Sequence, residues 1–273
     1  MRITLAVACA IAVATQSAVA QLRPLDPVDF SGFTGGTVHI DAGLAVYDDQ
    51  RASLAGVTGR LWEIGNVRVM IRTGRVILEF GGTVQRLFNE DTVWAAPFGD
   101  ATPSSADGER HDAGDYRAAT IVRLTRTGSA TPLALRFGAR LPTTDNRVGL
   151  DRDATDFFAT LAARRAFARL SLAAEAGVSI NGTRQSTYEQ SDVFVYALTG
   201  ELRAAAALTA FAVVLGQEDL HSRPAVRGNE DLGELRLGVR VGERRWVKLT
   251  WVHGYREFSP GNGWQLAVGA VLH

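Results

Sequence analysis

Residues 166–180 read AFARLSLAAEAGVSI, and they separate by parity. The even positions Ala168, Leu170, Leu172, Ala174, Ala176, Val178 and Ile180 are all apolar. The odd positions Arg169, Ser171, Ala173, Glu175, Gly177 and Ser179 are polar or small. An extended chain puts successive side chains on opposite faces, whereas a helix would scatter both sets around its axis. The segment is therefore a strand with one oily and one polar face.

The same split runs outward in both directions. Val38, Ile40, Leu44 and Val46 oppose His39, Asp41 and Tyr47. Leu133, Leu135 and Phe137 oppose Arg136 and Arg140, and Leu235, Leu237 and Val239 oppose Glu234, Arg236 and Arg240. Trp264, Leu266, Val268, Ala270 and Leu272 oppose Gln265 and Gly269. Such runs predict twelve strands, at 37–48, 57–72, 75–88, 115–127, 131–141, 153–163, 166–180, 191–204, 207–217, 230–241, 244–256 and 263–272. The strand at 57–72 is the least regular and could be two short ones.

Between these strands, long connections alternate with short ones. In an up-and-down antiparallel sheet, alternate connections emerge at the same end. One end thus carries tight turns, as at 73–74 and 205–206, and the other long loops, as at 89–114 and 142–152. Outer-membrane barrels have this layout, with short periplasmic turns and long extracellular loops. An even strand number brings both ends of the sheet to the tight-turn side. The expected fold is all-β: a single transmembrane up-and-down antiparallel barrel over 37–273, preceded by an irregular Pro/Gly/Asp-rich lead-in, 21–36.

Alternation does not say which face looks inward, since a soluble lipocalin-like barrel hides its apolar face. Three arguments favour the inverse. Side chains fill a barrel of about eight strands, whereas twelve would leave Leu, Val and Ala lining a void. The polar face carries Arg68, Arg117, Arg123, Arg136, Arg140, Arg169, Arg203, Arg236 and Arg240 with Asp41, Glu79, Asp156, Glu175, Glu201 and Glu234. Arginine forks pair bidentately with carboxylates and suit a crowded, partly dehydrated interior. Finally, outward aromatics gather near the long-loop end, at Tyr116, Phe157, Tyr196, Tyr255 and Trp264, as in an interfacial girdle. The tight-turn end has no matching girdle, because Phe167 and Trp246 have inward parity.

Composition agrees. The 273 residues carry 29 Lys+Arg and 29 Asp+Glu, a neutral balance that gives no reason to expect nucleic acid as a partner. Lys248 is the one lysine, unusual for a freely hydrated surface. Residues 1–20 have a positive start, an apolar run and Ala18-Val19-Ala20, the layout of a secretory signal peptide cleaved after Ala20. The one cysteine, Cys9, falls inside that leader, so the mature chain would hold no disulfide or Cys-ligated metal.

The C-terminal strand resembles the targeting strand by which the barrel assembly machinery recognises outer-membrane proteins, although Leu272 replaces the usual terminal Phe and His273 follows it. Residues 137–165, FGARLPTTDNRVGLDRDATDFFATLAARR, carry a further resemblance. A strand closing in Leu141-Pro142-Thr143, a Gly/Asp loop and a strand opened by Thr155-Asp156 are similar to the transporter family named after the phenol meta-cleavage (MetA) pathway. That resemblance implies an outer-membrane channel for small, often aromatic compounds.

Outer-membrane enzymes are the rival reading. Outer-membrane phospholipase A and lipid A deacylase place a histidine and a serine two residues apart on one strand face. None of His39, His111, His221, His253 and His273 gives His-x-Ser, and His221-Ser222 are adjacent, on opposite sides of an extended chain. Acidic residues of loop 89–114 (Glu90, Asp91, Asp100, Asp107, Glu109, Asp112) and the run Asp151, Asp153, Asp156 could hold Ca²⁺, but read better as solvated loops facing lipopolysaccharide-bound cations. No metal site or cofactor is therefore expected.

The sequence thus predicts an outer-membrane, porin-like channel of a didermal bacterium for passive transport of small solutes, anionic or aromatic among them, and not an enzyme. Its expected partners are outer-membrane lipid, lipopolysaccharide, the barrel assembly machinery and the solute. A non-conducting structural or surface-binding barrel is the alternative, and a lipid hydrolase a second, disfavoured one. The expected lumen or constriction set is Arg117, Arg123, Arg136, Arg140, Glu79, Asp156, Glu175, Glu234, Arg236 and Arg240, with the first four forming a basic ladder flanked by Glu79 and Asp156. These charges either set ion selectivity or simply neutralise one another. Loop 89–114, with Trp94, Pro97, Phe98 and Pro103, or the lead-in 21–36 could plug the mouth.

Overall fold

Each run of alternating residues folds as a strand in the computed structural model, which describes residues 22–33, 38–182, 191–220 and 231–272. The leader with Cys9 and Ala20, His221-Ser222 and His273 lie outside the described residues. The strands are β1 (Val38–Ala52), β2 (Val57–Thr73), β3 (Val76–Val93), β4 (Glu109–Asp112), β5 (Tyr116–Arg123), β6 (Leu133–Leu141) and β7 (Asp156–Ala166). They continue with β8 (Leu170–Asn181), β9 (Ser191–Ala205), β10 (Leu208–Asp219), β11 (Leu232–Val241), β12 (Arg245–Gly254) and β13 (Asn262–Leu272).

Every pairing is antiparallel, and the ring closes because β1 pairs with β2 on one side and β13 on the other. Twelve strands make the barrel. The thirteenth, β4, adds onto the far end of β3, where Arg86–Asn89 pair with Glu109–Asp112. Part of the expected loop 89–114 is therefore regular structure, since β3 runs on to Val93. The expected tight turn at 128–130 is also wider, because the β5–β6 ladder stops at the pair Arg123–Ala134.

Solvent exposure reads inside out. Arg136 is the largest fully enclosed side chain, at 0% exposure, whereas Leu198, Phe157 and Val268 are 59%, 57% and 55% exposed. Leu44, Phe80, Phe137, Leu161, Leu172, Leu237 and Leu249 are likewise exposed, one or more on most strands. In water this apolar belt would far exceed the patches a soluble monomer tolerates. It is the lipid-facing surface of an outer-membrane-type barrel.

The irregular strand at 57–72 is one continuous strand with a bulge. Leu61 and Glu63 are buried on one side of Gly65, and Met70 on the other, so inward parity changes from odd to even. Gly65 has φ +70 and goes unpaired between Ile64 and Asn66. An inserted residue shifts the face on which all following side chains lie.

Tyr116, Phe157, Tyr255 and Trp264 are exposed on the outer face near the long loops, as expected. Tyr196 is half-buried, with its ring stacked on Phe194 at 5.9 Å and its hydroxyl 2.9 Å from that of Tyr255. Cross-strand register adds Trp62 and Trp251 to this girdle: Trp62 pairs with Val46, Val46 with Trp264, and Trp264 with Trp251. Leu198→Arg, placing a charge on the lipid face, should cost about 2–4 kcal/mol. Urea unfolding in lipid vesicles measures it, and a cost near zero would mean that this face meets water.

Candidate functional site

The barrel encloses its own lead-in. Residues 22–33 (LRPLDPVDFSGF) lie in the lumen, from Leu22 at the long-loop end to a single 3₁₀ turn, Phe30–Phe33, at the tight-turn end. Pro24 and Pro27 fix φ and lack an N–H, so the segment is extended and rich in carbonyl acceptors. Wall arginines supply the donors. Arg136 Nη1 donates to the Asp26 carbonyl at 2.7 Å, Arg68 Nη2 to that of Pro27 at 3.0 Å, and Arg72 Nη1 to that of Phe33 at 2.9 Å. In the opposite sense, Val28 N–H donates to Glu175 Oε2 at 2.6 Å.

Ion pairs fix the segment sideways. Arg23 forks onto Glu234 at 2.5 and 2.6 Å, its guanidinium 3.7 Å above the Tyr47 ring. Asp26 accepts from Arg117 Nη2 and Arg236 Nη1, each at 2.6 Å. Burial opposes the Asp26 charge, yet Arg117, Arg236 and Arg68 overcome it and hold that carboxyl well below its usual range. A carboxyl so depressed keeps its stabilising charge above its unfolded-state pKa and loses it only as pH falls through the lower folded value. This anchor therefore persists through mildly acidic pH.

Apolar clusters close both ends of the segment. Leu22 packs with Tyr47, Leu61, Phe88, Leu150 and Val252 under the long loops. Phe30 and Phe33 pack with Met70, Ile77, Ile121 and Ala134 near the tight turns. Loop 142–155 supplies Leu150 and is held by an arginine network. Arg86 reaches Asp151, Asp115 (3.4 Å) and Glu63 (3.2 Å), and Arg140 reaches Asp156, Asp115 (3.1 Å) and Asp151 (3.4 Å). Arg152 adds a 2.6 Å pair with Asp156.

This network corrects the reading of Asp151, Asp153 and Asp156 as a solvated run, since all three are buried. Burial and the neighbouring Asp115 push the Asp151 carboxyl well above its usual range. In loop 89–114, Glu90 pairs with Arg110, whose Nη1 donates to the carbonyls of Thr102 (3.1 Å) and Val148 (2.7 Å). Trp94 stacks edge-on to Phe258 at 6.2 Å, so the loop braces its neighbours over the mouth.

The expected ladder exists but is occupied. Arg136 meets Glu79 at 2.7 Å, Arg117 meets Asp26, Arg140 meets Asp156, and Arg123 lies over the Phe33 ring at 5.9 Å. Glu79 also holds Arg68 at 3.1 Å and Arg117 at 3.6 Å. Arg236 spans Asp26 and Glu234 (2.8 Å). Arg169, expected on the polar inner face though not in the lumen set, sits exposed in the turn between β7 and β8. Asp26, Arg23 and Arg86 were missing from that set. Proline and aspartate in the lead-in signalled irregular backbone, but nothing local places it inside the barrel.

The segment is tied to both sides of the barrel, to Arg68, Arg117 and Arg136 of β2–β6 and to Glu175, Glu234 and Arg236 of β8 and β11, and does not fill the lumen. A cavity of about 480 Å³ is left beside it, lined by the segment, by Glu63, Arg68, Arg86, Arg117 and Arg140 on β2–β6, and by Thr199, Arg203, Thr209, Phe211, Arg240 and Lys248 on β9–β12. Of the expected residues, Arg117, Arg140, Asp156, Arg236 and Arg240 line this cavity, whereas Arg136 is sealed from it.

Neither a protein-family model nor a curated protein matches the chain. Among solved structures, the COG4313 outer membrane channel from Pseudomonas putida F1 is similar over 91% of this chain and 100% of that chain, with a TM-score of 0.65 and 13% identity. The CymD monoaromatic hydrocarbon channel covers 91% of this chain and 94% of its own at 9% identity, with a TM-score of 0.47. The translocator domain of the autotransporter NalP from Neisseria meningitidis covers 88% and 90% at 12% identity, with a TM-score of 0.42. The first likeness supports the fold. The MetA-pathway family is not named by these neighbours.

Glu79 carries the most arginines in the lumen, so Glu79→Gln should leave Arg136 buried and under-compensated, at a cost of about 3–5 kcal/mol. The midpoint of urea unfolding, followed by tryptophan fluorescence, reads this. A shift below 1 kcal/mol (roughly the worth of an exposed pair) would mean that water reaches the cluster.

Proposed function

We propose that the protein is an outer-membrane channel for passive passage of small solutes, narrowed by residues 22–33 and conducting through the space beside them. The observation that carries this reading is the cavity of about 480 Å³ left beside a segment that could have filled the lumen. A barrel built only as a scaffold gains nothing from a polar void, because each unpaired group in it must be hydrated. Similarity to solved channels is in keeping with the reading, as is the MetA-family resemblance of residues 137–165.

The same reading extends to biogenesis. Leu22 is enclosed beneath the long loops, so a leader still attached would have to leave through that covered mouth. Cleavage after Ala20 removes the difficulty. Recognition by the barrel assembly machinery falls to β13, whose Trp264, Leu266, Val268 and Leu272 are exposed outward. Outer-membrane lipid then covers the apolar belt, and lipopolysaccharide adjoins the long loops. Neither a lipid hydrolase nor any other enzyme is proposed, since no histidine of the chain stands in a His-x-Ser arrangement.

Single-channel recording in planar bilayers tests the channel. Wild-type protein should give small, steady currents. Asp26→Ala, which frees Arg117 and Arg236 from the segment, should give larger or fluctuating ones. Because the Asp26 carboxyl is held low, the larger or fluctuating currents of Asp26→Ala should not appear in the wild type between pH 8 and pH 5. No current from either folded protein would replace the channel with the non-conducting barrel.

A further inference from the structure

Most lumenal cations have a carboxylate partner, Arg236 of β11 among them. On β2–β7, Arg68, Arg86, Arg117, Arg136 and Arg140 each meet at least one carboxylate. Across the cavity, Arg203, Thr209, Arg240 and Lys248 form one continuous row. Arg203 pairs in register with Thr209, Thr209 with Arg240, and Arg240 with Lys248. Among the described residues, no carboxylate forms an ion pair with Arg203, Arg240 or Lys248. Like charges directly opposite on neighbouring strands destabilise a sheet, so this row carries a cost that the other wall avoids.

The acids facing the row are engaged elsewhere. Glu201 lies 3.7 Å from Arg164, and Asp41 accepts from the Trp246 indole N–H at 2.8 Å. Asp29 of the lumenal segment feels Arg68 more strongly than Arg240.

Apolar surface adjoins these charges. A Cβ on Gly238 would fall 2.3 Å from Phe211 Cζ, and one on Gly269 would fall 2.4 Å from the Trp246 ring. Both glycines thus let an aromatic ring lie flat along the wall instead of crossing the lumen. Lys248 Nζ sits 6.0 Å from the Phe211 centroid, and Thr199, Thr209 and Ser171 bring hydroxyls into the same cavity.

We propose that the row Arg203–Arg240–Lys248, with Phe211 and Trp246 beside it, binds small organic carboxylates on their way through the barrel. A carboxylate supplies the charge the row lacks, and a compact apolar body lies against the two rings. A cavity of about 480 Å³ is within the range of small-molecule sites. The proposal deepens the channel reading and depends on it for passage but not for binding.

Calorimetry with sodium benzoate and with benzylammonium chloride tests binding, using detergent-purified full-length protein and the R203Q/R240Q/K248Q variant. Benzoate should bind the wild type and benzylammonium should not, and the variant should lose at least about tenfold in benzoate affinity. Lys248→Gln alone, expected to weaken binding in the same direction, serves if the triple variant lacks the heat-shifted migration of a folded barrel. Reversal potentials in a potassium benzoate gradient should show preference for the anion, with the permeability ratio falling to about one in the variant. Equal binding of the two probes, or benzoate affinity unchanged by the substitutions, overturns the carboxylate site even if current flows. Benzoate binding without current overturns passage and leaves the site standing.

Discussion

Twelve strands close a cylinder too wide for side chains to fill, and the structure follows from how that width is managed. Oil on the inside would leave a void, so charge and water take the interior and Leu, Val and Phe face the lipid. Enclosed charge brings its own demand, since each guanidinium or carboxylate taken from bulk water needs partners. The barrel meets part of that demand with its own chain. Residues 22–33 offer carbonyls and Asp26 to arginines that the strands alone would leave short of acceptors.

That arrangement leaves the lumenal charges unevenly paired. The β2–β7 wall, the lumenal segment and loop 142–155 form a dense, reciprocally paired mass centred on Glu79, Asp26, Arg86 and Arg140. On β9–β12, Arg203, Arg240 and Lys248 border open volume, and no described carboxylate pairs with them. A structural interior needs only neutralisation, and the first wall has it. The second wall keeps a surplus of positive charge next to two flattened aromatic rings, and a passing solute can complement it.

Much of the fold was legible because a strand reports its two faces every second residue. Residues 166–180 place Ser171, Glu175 and Ser179 inward and Leu170, Leu172 and Val178 outward, and burial follows the same order. The rule fails where its period is broken. At Gly65 one residue inverts the faces of β2, so Glu63 and Arg68, odd and even, both point inward. Trp62 and Trp251 joined the girdle only once register set them on either side of Trp264. The Asp151–Asp156 run looked like a hydrated loop because its partners, Arg86 and Arg140, lie on other strands.

The sequence by itself determined the all-β class, the twelve barrel strands, the alternation of tight and long connections and the oily outer face, all of which depend on neighbours one or two residues apart. It also identified arginines and carboxylates as the interior. Only the tertiary structure decided which of them meet, that Arg136 is sealed while Arg240 faces open space, and that the lead-in runs through the lumen. Those outcomes depend on cross-strand register and on closure of the ring. They bring together groups as distant as Arg23 and Glu234, whose attraction leaves no periodic trace along the chain.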